Sequence, residues 1–318
     1  MVDAPENGSP RTPARIFVLG SLNADFTVRL QAIPKAGETL LGESLMFSLG
    51  GKGANQAVAA ARMGGRVSMA GKVGQDVFGD RLCEALRQEG IDMRLIRTDP
   101  DVSTGAAFIM LEPSGQNRII VVPGANSTYT IDELHSAVTS LQEADLLLLQ
   151  LEIDFQVVQA AVCSARELGV PVLLNPGPAP KKPFSEDLLK MLDCITPNEV
   201  EAEALTGVRV ENPQDAERAA KMLCSRGVEK VVITLGEQGA VVAERGNSAL
   251  VPPCKVEAVD TVAAGDAFTG ALAVSLCEGA DLFEASRFAA VAAAITVTRN
   301  GAMASIPRRA EVEQFRQT

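Results

Sequence analysis

Two patterns of apolar positions run along the chain, and each predicts its own kind of strand. The first is short and apolar throughout: "RIFVLG" at 15–20, "DLLLLQLE" at 145–152, "VPVLLNP" at 170–176, "CITPN" at 194–198 and "KVVITLG" at 230–236. Helical patterns at 155–168, 185–193, 198–206 and 213–226 separate these runs. Strands that do not alternate are covered on both faces, so this order predicts βαβ units and a mostly parallel sheet between helices.

The second pattern alternates. In "NADFTVRL" (23–30) Ala24, Phe26, Val28 and Leu30 fall on one face, and "GESLMFSLG" (42–50) behaves alike. "STGAAFIMLEPSGQNRIIVV" (103–122) reads as a hairpin turning at 113–116. One dry face and one intermittently covered face predict a small antiparallel sheet beside the main domain. Two chain segments, about 23–50 and 103–123, would supply it. It reads as a lid over a substrate, or more plainly as an extension of the core.

Ala-rich helices at 53–63 and 284–298 suit an aliphatic core, since hydrophobic residues make up 47% of the 318 residues, aromatics 4%, and Trp is absent. The opening "MVDAPENGSPRTPAR" is polar, Pro-rich and without an apolar centre, so 1–14 reads as a disordered extension and 15–318 as one domain. A net charge of -11 disfavours a nucleic-acid partner. No apolar run approaches the roughly eighteen residues of a membrane span. The six cysteines are spaced too widely for a metal knuckle or disulfide framework, which points to buried or half-buried free thiols in a reducing cytoplasm.

Polar residues gather where the apolar runs stop. Asn23, Glu152, Asn175, Asn198 and Thr234 stand at or just past these ends, and in open α/β sheets the ligand crevice lies beyond the carboxyl ends of the strands. Each alone is equally readable as a turn or cap residue; on successive strands they outline one crevice.

Two glycine-rich helix starts sharpen the picture. "GGKGAN" at 50–55 offers bare amides, Lys52 and Asn55 to a polyhydroxyl ligand, although its glycines also suit a tight βα turn. "DTVAAGDAFTGA" at 260–271 places Ala263, Ala264 and Gly265 before Asp266. Asp266 could be an N-cap, but an N-cap needs no run of small residues before it, whereas amides that receive a phosphoryl group do. A carboxylate beside that anion site can take a proton from a hydroxyl attacking a terminal phosphate. The helix end lowers its basicity, which is tolerable where the proton leaves late in a loose transition state.

Other signatures are missing. The chain has no GxxxxGK[ST] and no GxGxxG after a strand. Its single histidine, His135, lies in a polar helix-like stretch at 132–142, so a Ser-His-Asp hydrolase is poorly supported.

"GGKGANQAVAAAR", "TPNEVEAEALTG", "VVITLGEQGA" and "DTVAAGDAFTGAL" resemble the PfkB carbohydrate kinases, over about residues 15–316. The resemblance implies a three-layer α/β/α sandwich with a β-sheet lid, often shared between subunits of a homodimer, and ATP-dependent phosphorylation of the 5-hydroxyl of D-ribose. Carried over by motif, Asn23, Asp25, Gly51, Lys52, Asn55 and Glu152 would hold the sugar, Asp266 would be the base, and the amides of Ala263, Ala264 and Gly265 the anion hole. Carboxylates at 25 and 152 suit hydroxyl donors.

For the nucleotide the resemblance points to Asn198, Glu201, Thr234, Leu235, Gly236, Glu237, Gln238, Gly239 and Gly265. Asn198 and Glu201, three apart at a helix start, can face one crevice or form a capping box. Mg²⁺ would arrive with ATP. Potassium, the usual activator in the family, would take Asp260, Val262, Thr296, Arg299, Gly301 and Ser305, several of them through carbonyls alone.

Two departures from the family pattern stand out: "NADF", with Phe26 for the frequent histidine, and "GDAFTG", with Ala267 and Thr269. Phe26 beside Asp25 would make the lid face more apolar, which keeps 2-deoxyribose as an acceptor. A kinase of another small sugar or a nucleoside, and a non-catalytic sugar sensor, are the remaining alternatives.

Overall fold

A computed structural model of the chain describes residues 12–112 and 117–317. Of the expected extension, 1–11 lie outside the described residues, as does the expected turn at 113–116; Ala14 is already buried in the core.

The first half of the chain forms β1 (Arg15–Leu19), β2 (Asn23–Arg29), β3 (Ser44–Gly50), α1 (Lys52–Arg62), β4 (Arg66–Gly74), α2 (Val77–Gln88), β5 (Asp92–Asp99), β6 (Gly105–Leu111) and β7 (Asn117–Val122). There follow α3 (Ile131–Ser136), α4 (Val138–Gln142), β8 (Leu146–Leu149), α5 (Phe155–Leu168), β9 (Val172–Leu174), α6 (Glu186–Leu189), β10 (Cys194–Ile195), α7 (Glu199–Thr206) and α8 (Pro213–Ser225). The chain ends with β11 (Lys230–Thr234), β12 (Ala240–Glu244), β13 (Asn247–Val251), α9 (Ala264–Cys277), α10 (Leu282–Val297) and α11 (Arg309–Phe315).

The main sheet runs β13-β12-β11-β10-β9-β8-β1-β4-β5 and is parallel except for the β11–β12–β13 meander at one edge. Successive residues of β1 feed opposite faces: Ile16 and Val18 enter one hydrophobic core, Phe17 and Leu19 the other. The first core is closed by α1, α2, α9, α10 and α11, the second by α3 to α8, so the expected three layers are present. All positions from Asp266 to Ser275 in α9 are buried, as expected of a helix that packs on every side. It lies between α1 and α10, and the approach to α1 is close: a Cβ on Gly270 would meet Ala59 Cβ at 2.5 Å.

Strand order reverses at β1. The chain moves outward from it through β4 and β5, then returns to its other side at β8 and continues through β9, β10 and β11. The crevice beyond β1 and β8 is therefore the topological switch point.

The second sheet, β3-β2-β6-β7, comes from the two expected segments, but it is not wholly antiparallel. Its two outer pairs are antiparallel, while β2 and β6 pair in parallel from Asn23 opposite Gly105 to Arg29 opposite Leu111. Parallel pairing follows because α1, β4, α2 and β5 intervene between the segments and return the chain to the same end. Further expectations are trimmed: the helix at 185–193 is only Glu186–Leu189, and 132–142 divides into α3 and α4 at Ala137. His135 is exposed. Five cysteines are buried or half-buried and Cys163 is exposed.

Candidate active site

β1 ends at Leu19, and the next residues turn directly under the start of α1. A Cβ on Gly53 would meet Ser21 N at 2.5 Å and Gly20 C at 2.6 Å, and Gly51 holds φ at 91° against the Ser21–Asn23 backbone. The bareness of these two glycines thus makes room for the chain's own backbone. The first amides of α1 are also occupied. Lys52 N donates to Glu152 Oε2 at 3.0 Å, Gly53 N to Ser21 Oγ at 3.3 Å and Ala54 N to Ser21 O at 2.9 Å. Ser21 Oγ in turn donates to Glu152 Oε2 at 2.5 Å, fixing the carboxylate that β8 delivers.

The start of α9 is different. Ala263 occupies the N-cap position in a left-handed conformation (φ 62°, ψ 5°) with no side-chain cap, a backbone state that costs a non-glycine residue about 1–2 kcal/mol. Asp266 is therefore not the N-cap; it lies in the first helical turn and is buried. Of the helix-start amides, that of Ala264 donates weakly to Thr261 O at 3.3 Å. Those of Ala263, Gly265 and Asp266 meet no acceptor among the described residues, and a Cβ on Gly265 would meet nothing within 4 Å. Open space and unused N–H groups at a positive helix end suit an anion.

Both oxygens of Asp266 accept an amide proton: Oδ2 from Asn55 Nδ2 and Oδ1 from Gln56 Nε2, each at 2.9 Å. Gln56 is a residue the sequence reading did not single out, although it lies within the quoted "GGKGANQA" motif. Asn126 is another: its Nδ2 donates to Asn23 Oδ1 at 2.8 Å and so fixes that side chain. Gln56 stands next to Asn55 at the start of an Ala-rich run, and Asn126 lies in the polar stretch "GANSTYT", so neither is marked out by its neighbours.

Asp25 lies across the crevice, buried and with no hydrogen-bond donor among the described residues, its carboxylate filling the space where a Cβ on Gly50 would stand. Burial first, then Glu152 and Asp266, push its carboxyl up to about 7. Burial also raises Asp266, with Glu152 adding to it and Lys52, Asn55 and Gln56 opposing. Burial acts to lower Lys52, but Asp266, Glu152 and Glu201 outweigh it and leave its ammonium more basic than usual. One cation thus serves several carboxylates. Asn55 Oδ1 is buried without a partner, a costly state in a closed core and a natural acceptor for a ligand hydroxyl.

Phe26 does not share this pocket. Adjacent strand residues face opposite ways, and the Phe26 ring stacks on Phe108 and packs on Phe47 and Phe78, each with centroids 5.4 Å away. Its expected effect on the Asp25 face is therefore absent; it instead seats the small sheet on α2 through Phe78.

On the other side of the crevice the Asn198–Glu201 capping box is real. Glu201 N donates to Asn198 Oδ1 at 2.8 Å and Asn198 N to Glu201 Oε2 at 3.0 Å. The second oxygen of Glu201 points to where Gly177 leaves room for it and Lys52 Nζ; burial raises the Glu201 carboxyl, against the pull of Lys52 and the Asn198 N–H. Thr234 ends β11 beside Asn198, Gly236–Gln238 form an exposed 3-10 turn, and Gly239 closes it at φ 92°. Leu235 is a core residue, 2% exposed, so only its backbone faces the crevice.

The expected cation residues come together in part. Asp260 accepts from Val262 N and Gly301 N, both at 3.0 Å, and Val259 N and Asp260 N donate to Val297 O, so the two loops form one unit. Ser305 Oγ donates to Ala302 O and Thr296 Oγ1 to Ala292 O. Arg299 turns its guanidinium to Glu311. Among the described residues no group of three or more acidic, His or Cys side chains could hold a metal ion.

The family described as pfkB family carbohydrate kinase matches residues 13–309. The chain belongs to that family. It is 44% identical to a ribokinase of Haemophilus influenzae over 94% of this chain and 97% of the relative. A deoxyribokinase of Salmonella typhi is 36% identical over 94% of this chain and 97% of its own. The solved structure of Arabidopsis thaliana ribokinase complexed with ribose and ATP superposes with a TM-score of 0.87 at 33% identity, over 96% of this chain and 99% of that one.

Proposed function

We propose that this chain transfers the terminal phosphoryl group of ATP to the 5-hydroxyl of D-ribose, giving ribose 5-phosphate and ADP. The observation that carries this reading is the pairing of a buried, doubly hydrogen-bonded Asp266 with unpartnered amides one turn or less away at the start of α9. Ribose hydroxyls donate to Asp25, Glu152 and the orphaned Asn55 Oδ1, while Asn23, Lys52 and the Gly51 backbone complete the pocket. Asp266 takes the hydroxyl proton as the new O–P bond forms and the bond to the ADP oxygen breaks. The amides of Ala263 and Gly265, with a lesser part from Ala264, offset the charge on the phosphoryl oxygens.

The nucleotide lies along Asn198, Glu201, the loop from Thr234 to Gly239, and Gly265. Mg²⁺ arriving with the nucleotide would supply positive charge to offset that of the phosphates. A potassium ion held by Asp260, Ser305 and the carbonyls of Val262, Thr296, Arg299 and Gly301 would brace the loop that leads into the anion site. The small sheet acts as the lid of a single domain over 15–318. Its exposed Ile119, Ile120, Val121 and Val122 motivate a homodimer joined through it. No described helix is long and apolar enough to cross a membrane, which fits a cytoplasmic enzyme.

The test is ADP release from ATP and Mg²⁺ with potassium, comparing D-ribose, 2-deoxyribose, fructose and adenosine. Strong turnover with ribose is the expected outcome. Preference for 2-deoxyribose, the acceptor suggested by the name of the Salmonella typhi relative, would keep the mechanism and reassign the pocket. No turnover with any acceptor would leave a sugar sensor. Light scattering with ribose present should give twice the mass of the 33.4 kDa chain; a monomer at micromolar concentration would end the dimer proposal.

A further inference from the structure

Gln56 is wholly buried in an alanine-rich helix. A buried amide is costly unless its groups are bonded, and here all of them are. Nε2 donates to Asp266 Oδ1 at 2.9 Å and to Asn175 Oδ1 at 3.2 Å, while Oε1 accepts from Gln150 Nε2 at 2.7 Å. Asn175 Nδ2 donates to Thr196 O at 2.8 Å. Gln150, Asn175 and Thr196 each follow directly on a parallel strand: β8, β9 and β10. The donors all run one way, from Gln150 through Gln56 to Asp266, so reversing the Gln56 amide would set its oxygen against a carboxylate.

We propose that Gln56 is a positioning residue for the phosphoryl-transfer step, oriented by Gln150 and anchoring Asp266 to the carboxyl ends of the central strands. It touches neither sugar nor nucleotide in this arrangement. The close crossing of α1 and α9, where a Cβ on Gly270 would meet Gln56 O at 2.7 Å, leaves the side chain to reach toward Asp266. The sugar side of Asp266 is held separately, by Asn55. Removing Gln56 would leave one oxygen of the carboxylate free to rotate away from the attacking hydroxyl and would take away one N–H that favours its ionised form.

This inference rests on Asp266 being the base, and the test keeps the two apart. Steady-state kinetics from pH 5 to 9 would compare the parent, Gln56→Met, Gln150→Met and Asp266→Asn. Lys52, Glu152, Asp25 and Glu201, which face Asp266 from α1, the β8 end, β2 and α7, stay in place in all four. For Gln56→Met we expect kcat to fall roughly 10- to 100-fold. Its KM for ribose should change by less than about threefold and its acidic limb of kcat/KM should move to higher pH. Gln150→Met, which leaves the Gln56 N–H in place but frees it, should give the same pattern several-fold weaker, and it keeps the proposal testable if Gln56→Met does not fold. A Gln56→Met or Gln150→Met protein that folds with the parent's kcat and acidic limb, or that changes KM alone, would overturn the positioning role. An Asp266→Asn protein as fast as the parent would overturn the base assignment itself, and the proposal with it.

Discussion

At the start of α1 the amides of Lys52, Gly53 and Ala54 are taken by Glu152 and Ser21, and the glycine faces are filled by the Gly20–Asn23 backbone. At the start of α9 the amides of Ala263, Gly265 and Asp266 meet no described acceptor, and Gly265 faces open space. Both are glycine-containing helix starts beside a carboxylate. The first has been turned into a fixed support: its positive end and Ser21 hold Oε2 of Glu152 in place. The second keeps its positive end for something that arrives and leaves. Bare backbone is thus a necessary condition for an anion site and not a sufficient one, because the chain itself can occupy it.

The largest test of this contrast is Asp266→Asn, which keeps the shape of the α9 start and removes the proton acceptor. Turnover should fall by roughly 10³-fold, within the range for general-base loss, with KM for ribose nearly unchanged in steady-state ADP release. The two helix starts should then diverge under the same substitution. Gly53→Ala forces a methyl into the Ser21 and Gly20 backbone and should cost about 1–3 kcal/mol, seen as a lower urea midpoint at constant slope. Gly265→Ala meets no obstacle and should gain up to about 1 kcal/mol from helix propensity. Its kcat should nonetheless drop roughly tenfold or more, because the methyl stands where the phosphoryl oxygens would.

The carboxylates offer a third comparison. Glu152 receives an N–H and an O–H, whereas Asp25 receives neither from the described residues. The Asp25 carboxyl, at about 7 in the folded chain against an ordinary 3.8, binds a proton that the unfolded chain has already released between these values. Its contribution to stability without sugar should therefore be fully present below about pH 4 and be lost as pH rises to about 7, amounting to roughly 2 kcal/mol between pH 5 and 8. Asp25→Asn should flatten this slope in pH-dependent denaturation while abolishing ribose binding. A parent protein with stability rising over that range would remove the assignment of Asp25 as an unpartnered acid. The smallest effect belongs to Ser21→Ala, which deletes one donor to Glu152 and one acceptor for Gly53 N. It should cost about 1 kcal/mol, and KM for ribose should rise with little change in kcat.

Strand type, helix periodicity and the two helix starts were legible in the sequence because each depends on local spacing. Continuous apolar runs gave β1, β8, β9, β10 and β11, and the match of 155–168 with α5 is residue for residue. By contrast, β4, α2, β5, β12 and β13 did not stand out. The β4 run "RVSMAGKVG" carries a lysine that is buried only because Glu133 at 2.8 Å and the Thr128 carbonyl, from a distant segment, accept from it.

Local spacing is enough to set the alternation of strand and helix, the aliphatic cores, and the supply of carboxylates at the strand ends and bare amides at the helix starts. All follow from patterns within about a dozen residues. Tertiary structure alone decided the parallel pairing of β2 with β6, the turning of Phe26 away from Asp25 onto Phe78, the filling of Gly51 and Gly53, and the recruitment of Gln56 and Gln150 behind Asp266. In each of these the partner lies tens to hundreds of residues away. A polar side chain carries no mark of which distant group will satisfy it, because strand order and helix crossing choose that group.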